Sequence, residues 1–115
     1  GGVPMSLDFY LELPPCNHCG RADGELFSSN ITHNLRRMWD EASVCDALYE
    51  SQGKTAASIL PALESGLAVM QADPARFEAF NAPNGWGLYK HAVPWLAEVV
   101  RACRENPAAV VRVSR

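Results

Sequence analysis

Two cysteines three positions apart form the part of the sequence with the clearest potential for chemistry. Cys16 and Cys19 enclose His18 and are followed at once by Gly20. A tetrahedral zinc ion needs two thiolates close together on a tight turn, and Cys-x-x-Cys-Gly is half of many zinc ribbons. The spacing therefore predicts a zinc site here. The chain contains no second Cys-x-x-Cys pair, so the remaining ligands must come from other residues.

The third and fourth ligands of this site are less closely defined by the sequence. We predict His33 as the third ligand, because the second strand would carry it back towards the cysteines, and His18 as the nearest option for the fourth. Four protein ligands would make the zinc structural, whereas three ligands and a water molecule would leave a position open for catalysis. The full set of candidates comprises His18, His33, His91, Cys45, Cys103 and Asp23.

Two other interpretations of the cysteine pair are open. A redox dithiol of the thioredoxin type opens a helix inside a βαβ unit. Here Pro14 and Pro15 precede the motif and Gly20 follows it, which places it between strands. The second alternative is a pair of free thiols in a surface loop. Cys45 and Cys103 lie on apolar helical faces, where we expect core positions and no disulfide.

A polar run downstream of the pair is the second candidate site. Asn30, Thr32, His33 and Asn34 lie where a strand is predicted to give way to a helix. The first turn of a helix presents unpaired backbone N–H groups, which favour anionic ligands. For Thr32 and Asn34 helix capping is the favoured explanation of the residue types. We predict ligand contacts for Asn30 and Asn34, and a metal or ligand role for His33.

A glycine-flanked tryptophan is the third feature. Trp86 follows Asn84-Gly85 and precedes Gly87, and Tyr89 comes shortly after it. The glycines let the backbone approach another surface, and an indole can stack on a planar ligand or anchor a partner. The alternative is that Trp86 folds back onto the helices as part of the core. We predict Trp86 and Tyr89 as ligand-binding residues.

Composition narrows the classes of function. The chain has 115 residues, a net charge of -3, 48% hydrophobic and 20% charged residues. These values are typical of one globular domain with its own core, and they disfavour nucleic-acid binding through a basic surface. No run approaches the roughly 20 apolar residues that span a bilayer, and no signal peptide opens the chain, so we expect no membrane partner and a cytoplasmic location. Residues 1–4 resemble a cloning remnant, which leaves residues 5–115 as the domain.

The strands are predicted from period-two alternation. Residues 7–13 alternate apolar and polar side chains, and residues 25–31 form a weaker strand after a turn-rich link. Two strands joined in this way are typical of a hairpin, with the cysteines at its tip. Residues 109–113, which include three β-branched valines, are predicted to form the last strand.

The helices are predicted from the three- and four-residue spacing of apolar side chains. One helix begins between residues 32 and 34 and ends before Gly53. A second begins at Thr55 or Ser58, and Pro61 favours the later start. Residues 73–80 form a short helical turn, and a final helix ends near residue 105, with Pro94 at its start or at a kink. The order β-β-α-α-α-β predicts an α+β fold, in which a small, mainly antiparallel three-stranded sheet carries helices on one face.

Several segments together resemble a family of small uncharacterised proteins encoded by bacteriophages and prophages. These are Asn30-Ile31-Thr32-His33-Asn34-Leu35, Met38-Trp39, Asn84-Gly85-Trp86-Gly87, Trp95-Leu96 and Val111-Arg112-Val113-Ser114-Arg115. Several members carry a Cys-x-x-Cys-Gly knuckle ahead of the same Asn-x-Thr-His-Asn run. The resemblance covers nearly the whole chain from Met5. It implies a phage accessory role, a location in the host cytoplasm and a functional link between His33 and the Trp86 loop.

These observations lead to two hypotheses of different classes. The first is a non-enzymatic binding module, stabilised by a structural zinc ion, that engages a host protein or a small polar ligand. The second is a small metal-dependent hydrolase, or a protein that binds and sequesters a nucleotide. No Ser-His-Asp order, phosphate loop or spaced pair of carboxylates supports an enzyme. The sequence therefore favours the binding module.

Overall fold

A computed structural model of the chain describes residues 6–14, 24–32, 35–81 and 88–114. Within these ranges it contains three strands and five helices. They are β1 (Ser6–Glu12), β2 (Glu25–Thr32), α1 (Arg36–Glu41), α2 (Cys45–Tyr49), α3 (Ala56–Ala72), α4 (Pro74–Glu78), α5 (Tyr89–Glu105) and β3 (Val110–Ser114). The predicted α+β class is confirmed.

The three strands form one antiparallel sheet in the order β2-β1-β3. Phe9 of the central strand is opposite Ser29 of β2 and Val113 of β3. The alternation read from the sequence sets the two faces of β1, because neighbouring side chains in a strand point to opposite sides. Leu7, Phe9 and Leu11 are fully buried beneath the helices. Leu13, predicted to continue this row, lies beyond the end of β1 and is 48% exposed.

The predicted first helix is two helices, and that prediction was wrong. α1 ends at a turn in which Ser43 has a positive φ of 62°. The Val44 N–H donates to the Trp39 carbonyl (2.9 Å) and the Ser43 N–H to the Asp40 carbonyl (3.0 Å). This is the Schellman arrangement, which usually places glycine at the left-handed position. With serine there, the sequence carries no clear sign that the helix ends.

Pro61 does not delay the start of α3 as predicted. The helix begins at Ala56, and Pro61 is its sixth residue. The first N–H groups of a helix have no partner within it. Here the Ala56 N–H donates to the Ala109 carbonyl (2.8 Å) and the Ala57 N–H to the Pro107 carbonyl (3.0 Å). These bonds to the segment before β3 fix the early start.

The end of the last helix and the position of the short helical turn agree with the prediction from the sequence. α5 begins at Tyr89 and contains Pro94 as its sixth residue, so Pro94 does not mark its start. Pro74 is the first residue of α4, where its missing N–H costs nothing.

One cluster of buried side chains lies between the sheet and the helices. Its largest members are Trp39, Phe9, Phe77, Leu7, Leu11, Leu35, Met38, Leu48, Leu63, Met70 and Leu96.

Candidate functional site

The hairpin that carries the cysteine pair is closed by its flanking residues. The Leu13 N–H donates to the Gly24 carbonyl at 2.7 Å, directly beyond the paired ends of β1 and β2. The Leu13 side chain lies against Gly24 so closely that a β-carbon there would overlap it. The two ends of the intervening loop are therefore held together, and the loop is tethered at one end of the sheet. Cys16, His18 and Cys19 belong to this loop and lie outside the described residues.

The strands limit which residues can share one metal ion with the cysteines. His33 also lies outside the described residues, but Thr32 before it is at the far end of the eight-residue β2. A strand of that length is about 23 Å long. Cys16 comes three residues after Leu13, and three residues reach about 10 Å at most. An ion bound by both Cys16 and His33 therefore requires the loop to fold back along most of the sheet, whereas His18 shares the loop with the cysteines.

The other cysteines and one other histidine are separated from each other in the fold. Cys103 is fully buried in α5, and Cys45 is half-buried in α2, as expected for residues that pack in or against the core. His91 is exposed on α5. Among the described residues, no group of three or more His, Cys, Asp or Glu side chains could hold a metal ion. Burial raises the pKa of the Cys103 thiol to about 11, which keeps this sulfur protonated and inert at neutral pH.

Asn30 lies on the face of the sheet opposite the helices. Its register partner on β1 is Asp8, and the next pair on this face is Tyr10 with Ser28. Together with Ser29 these residues line a shallow open depression of about 410 Å³. The lining offers one carboxylate, one carboxamide and several hydroxyl groups, all of which can form hydrogen bonds to a polar ligand. Asp8, Tyr10 and Ser28 were not predicted as site residues, although the same alternation that marked the core face marks this one.

An ion pair continues the polar character of this face towards β3. Arg112 is opposite Tyr10 in the register, and its Nη1 lies 3.3 Å from Oε2 of Glu12. The Glu12 side chain is 18% exposed and that of Arg112 is 62% exposed. The open face therefore combines acidic, basic and neutral hydrogen-bonding groups within a few residues of one another. Such a mixed surface suits contact with a polar partner better than with an apolar one.

Tyr89, predicted as a ligand-binding residue, joins two helices and lines a depression of about 290 Å³. Its hydroxyl donates to the Met70 carbonyl (2.7 Å), near the end of α3, and its backbone N–H donates to Oδ1 of Asn81 (2.7 Å). The second bond ties together the two ends of the loop that contains Trp86, which lies outside the described residues. The side chain of Tyr89 is half-buried and anchors α5 on α3. A role in fixing this loop explains these contacts without a ligand.

The structure does not bring Asn30 and Tyr89 to one surface. Asn30 is on the open face of the sheet, whereas Tyr89 packs against the core in the helical layer. The predicted ligand-binding residues Asn30 and Tyr89 therefore do not line one common cleft among the described residues. Asn34 itself lies outside them.

Two tryptophans, one buried and one half-buried, form the aromatic centre of the core. The rings of Trp39 and Trp95 are 5.7 Å apart, and Phe9 meets Trp95 edge-on at 6.5 Å. Neither indole N–H has an acceptor in the described part of the chain. Both lie on the helix side of the sheet, away from the depression around Asn30, so they hold the sheet and helices together.

Comparison with known proteins gives no relative. No family model, no curated protein and no solved structure matches the chain. None of the helices in the described ranges has the length and apolar character needed to cross a membrane.

Proposed function

We propose that the chain is a small, non-enzymatic binding module of phage accessory type, acting in the cytoplasm of the host. Its contact surface is the open face of the sheet around Asn30, and its occupant is a host protein or a small polar ligand. A structural zinc ion in the hairpin loop stabilises one end of that face. The phage setting is supported by the sequence resemblance, and the contact surface by the arrangement of the strands.

One observation carries the choice of surface. Within the described ranges, helices cover the sheet on one side only, and the other side presents Asp8, Tyr10, Ser28 and Asn30 around a depression. Polar side chains on an exposed sheet face ordinarily serve to keep the protein soluble. Hydrogen-bonding groups of several kinds that lie next to each other can in addition select one ligand over another. The side chains sit on paired strands, so their spacing is fixed before any ligand binds.

The zinc proposal is supported by the geometry of the hairpin. Cys16 and Cys19 lie in a loop whose ends are held together by the Leu13–Gly24 hydrogen bond. A metal ion that binds this loop only in the folded state adds its binding free energy to the stability of the fold. We propose His18 and His33 as the other two ligands of a closed, four-ligand site. His18 shares the loop with the cysteines, whereas His33 requires the loop to fold back along the sheet.

Metal content tests this part of the proposal. Elemental analysis of the purified full chain should find about one zinc per chain. Cys16→Ser should lose the metal and unfold at a lower temperature, whereas Cys45→Ser, on α2, should retain it and serves as the matched control. Replacing His18 and His33 by Ala in turn shows whether each supplies one of the other two ligands. A wild-type chain free of metal after expression in zinc-supplemented medium contradicts the zinc site.

Ligand binding at the open face needs a separate test. Amide chemical shifts of the ¹⁵N-labelled chain should move at Asn30, Tyr10 and Ser28 when a panel of nucleotides, sugars and short polar peptides is added. Asn30→Ala should abolish the response to the active compound, and Gln71→Ala, on the exposed side of α3, should leave it unchanged. Shifts confined to the vicinity of Trp86 would instead support nucleotide stacking. Turnover of any compound would contradict the non-enzymatic assignment.

A further inference from the structure

One edge of the sheet is covered by a neighbouring segment of the chain, whereas no described residue covers the other edge. The outer edge of β3 is covered by the segment before α3. The Gly53 N–H donates to the Val111 carbonyl and the Val111 N–H to the Lys54 carbonyl, both at 2.8 Å, while Oε1 of Gln52 accepts from the Val113 N–H (2.6 Å). Thr55 adds an isolated bridge to Val110. This edge cannot accept a further strand.

The outer edge of β2 has no such cover among the described residues. β2 is the terminal strand of the sheet, and within the described ranges it pairs only with β1. The stretch from Leu26 to Ile31 contains no charged residue and no proline. Natural proteins usually protect an exposed edge with lysine, proline or an inward-pointing charge. The irregular pairing near Leu11 and Glu12 disturbs only the first residues of β2, so residues 27–31 form a regular edge that no described residue blocks.

Burial decreases from the central strand to this edge. Leu7, Phe9 and Leu11 of β1 are fully buried, whereas Phe27 and Ile31 on the same side of β2 are only half-buried. The helical layer therefore covers β1 completely and leaves the outer row partly exposed. A strand added beside β2 would complete the burial of these two apolar side chains.

The register of β2 makes it complementary to itself. In an antiparallel pair, the backbone N–H and C=O groups of two opposite residues either both point towards the partner strand or both point away from it. This orientation alternates along each strand. In a pair formed by two copies of β2, the numbers of two opposite residues must therefore sum to an even number. Centring the pair on Ser29 sets Phe27 of each copy opposite Ile31 of the other. It also sets Ser28 opposite Asn30. Aromatic and β-branched partners stabilise such pairs, and no like charges meet.

We propose that two copies of this chain associate through β2, antiparallel and centred on Ser29, to form a continuous six-stranded sheet. A two-fold axis through the Ser29 pair places both helical layers on one side of this sheet. The open faces then join on the other side, where Asn30 of each copy adjoins Ser28 of its neighbour. Dimerisation extends the polar depression across the axis and stands independently of what that depression binds.

A charge exchange at Ser29 tests the interface. Analytical ultracentrifugation of the full chain should show a species of twice the 12.6 kDa chain mass. Ser29→Asp and Ser29→Lys each place like charges face to face, and each should weaken the dimer by about tenfold or more. Mixing the two variants should restore it as a heterodimer. A wild-type chain that stays monomeric at millimolar concentration, or a dimer indifferent to both substitutions, overturns the proposal.

A cysteine pair tests the register and guards against a Ser29 charge variant that fails to fold. Under mild oxidation, Ser29→Cys should give a disulfide-linked dimer, and mass spectrometry should locate the link between the two copies of residue 29. Ser28→Cys is the matched control, because its opposite residue is Asn30 and no second thiol faces it. A link through Cys45 or another native cysteine, or equal cross-linking in both variants, contradicts the Ser29-centred register.

Discussion

Gly66 lies in the middle of α3 and is buried where that helix crosses the turn between α1 and α2. A β-carbon at this position would overlap Cγ1 of Val44 and would lie 2.9 Å from the backbone oxygen of Ala42. The second contact is with backbone and cannot be relieved by rotating a side chain. We therefore expect Gly66→Ala to destabilise the protein, although alanine is the better helix former.

The expected size of the effect follows from two opposing contributions. Replacing glycine by alanine inside a helix contributes about 1 kcal/mol of stability. Forcing an extra carbon into a packed contact costs about 1 to 3 kcal/mol. The difference between these contributions is a fall in the free energy of unfolding of up to about 2 kcal/mol. Each kcal/mol lowers the melting temperature by about 4 to 8 °C in a domain of this size.

Urea denaturation of four proteins provides the assay: wild type, Gly66→Ala, Val44→Ala and the double variant. Removing the γ-carbons of Val44 relieves the larger overlap, so the double variant should be more stable than the sum of the single effects by about 1 kcal/mol or more. Ala68→Gly is the control. Residue 68 lies on the exposed side of α3, so this variant measures the difference in helix propensity between alanine and glycine alone. A stabilising Gly66→Ala, or strict additivity in the cycle, would refute the close approach of α3 to the turn.

Three further predictions concern the described residues. Tyr89→Phe should lower the free energy of unfolding by about 1 kcal/mol in urea, because the hydroxyl that donates to the Met70 carbonyl is lost; an unchanged midpoint would show that this bond contributes nothing. Ser43→Gly should raise stability by about 0.5 to 1 kcal/mol, since its φ of 62° suits glycine, whereas Gly53→Ala (φ 83°) should cause a loss of similar size; thermal unfolding of both variants checks the opposite signs. Burial raises the pKa of Cys103 to about 11, so folding favours the protonated thiol: the stability from this group is complete below about pH 8.5 and is lost as the pH rises towards 11. The free energies of unfolding of wild type and Cys103→Ala, measured by urea denaturation at several pH values, should approach each other over that range. A difference that does not change with pH would argue against a buried, protonated thiol.

The sequence by itself determined the sheet and most of the core. The alternation of Leu7, Phe9 and Leu11 predicts both the strand and its buried face, because a strand has only two sides and apolar groups go to the inner one. The same period predicts which side is open, and so indicates the polar face around Asn30. Helical spacing likewise predicts that Met38, Trp39 and Leu63 are buried, as they are.

Only the tertiary structure decided where helices break and which polar groups meet. The turn at Ser43 depends on backbone hydrogen bonds made by a residue type that does not signal it, and Gly66 is explained only by the approach of α3 to that turn. α3 begins at Ala56 because residues distant in sequence accept its first N–H groups. Asn30 and Tyr89 lie in different layers because contacts between strands and helices, rather than sequence spacing, fix their neighbours.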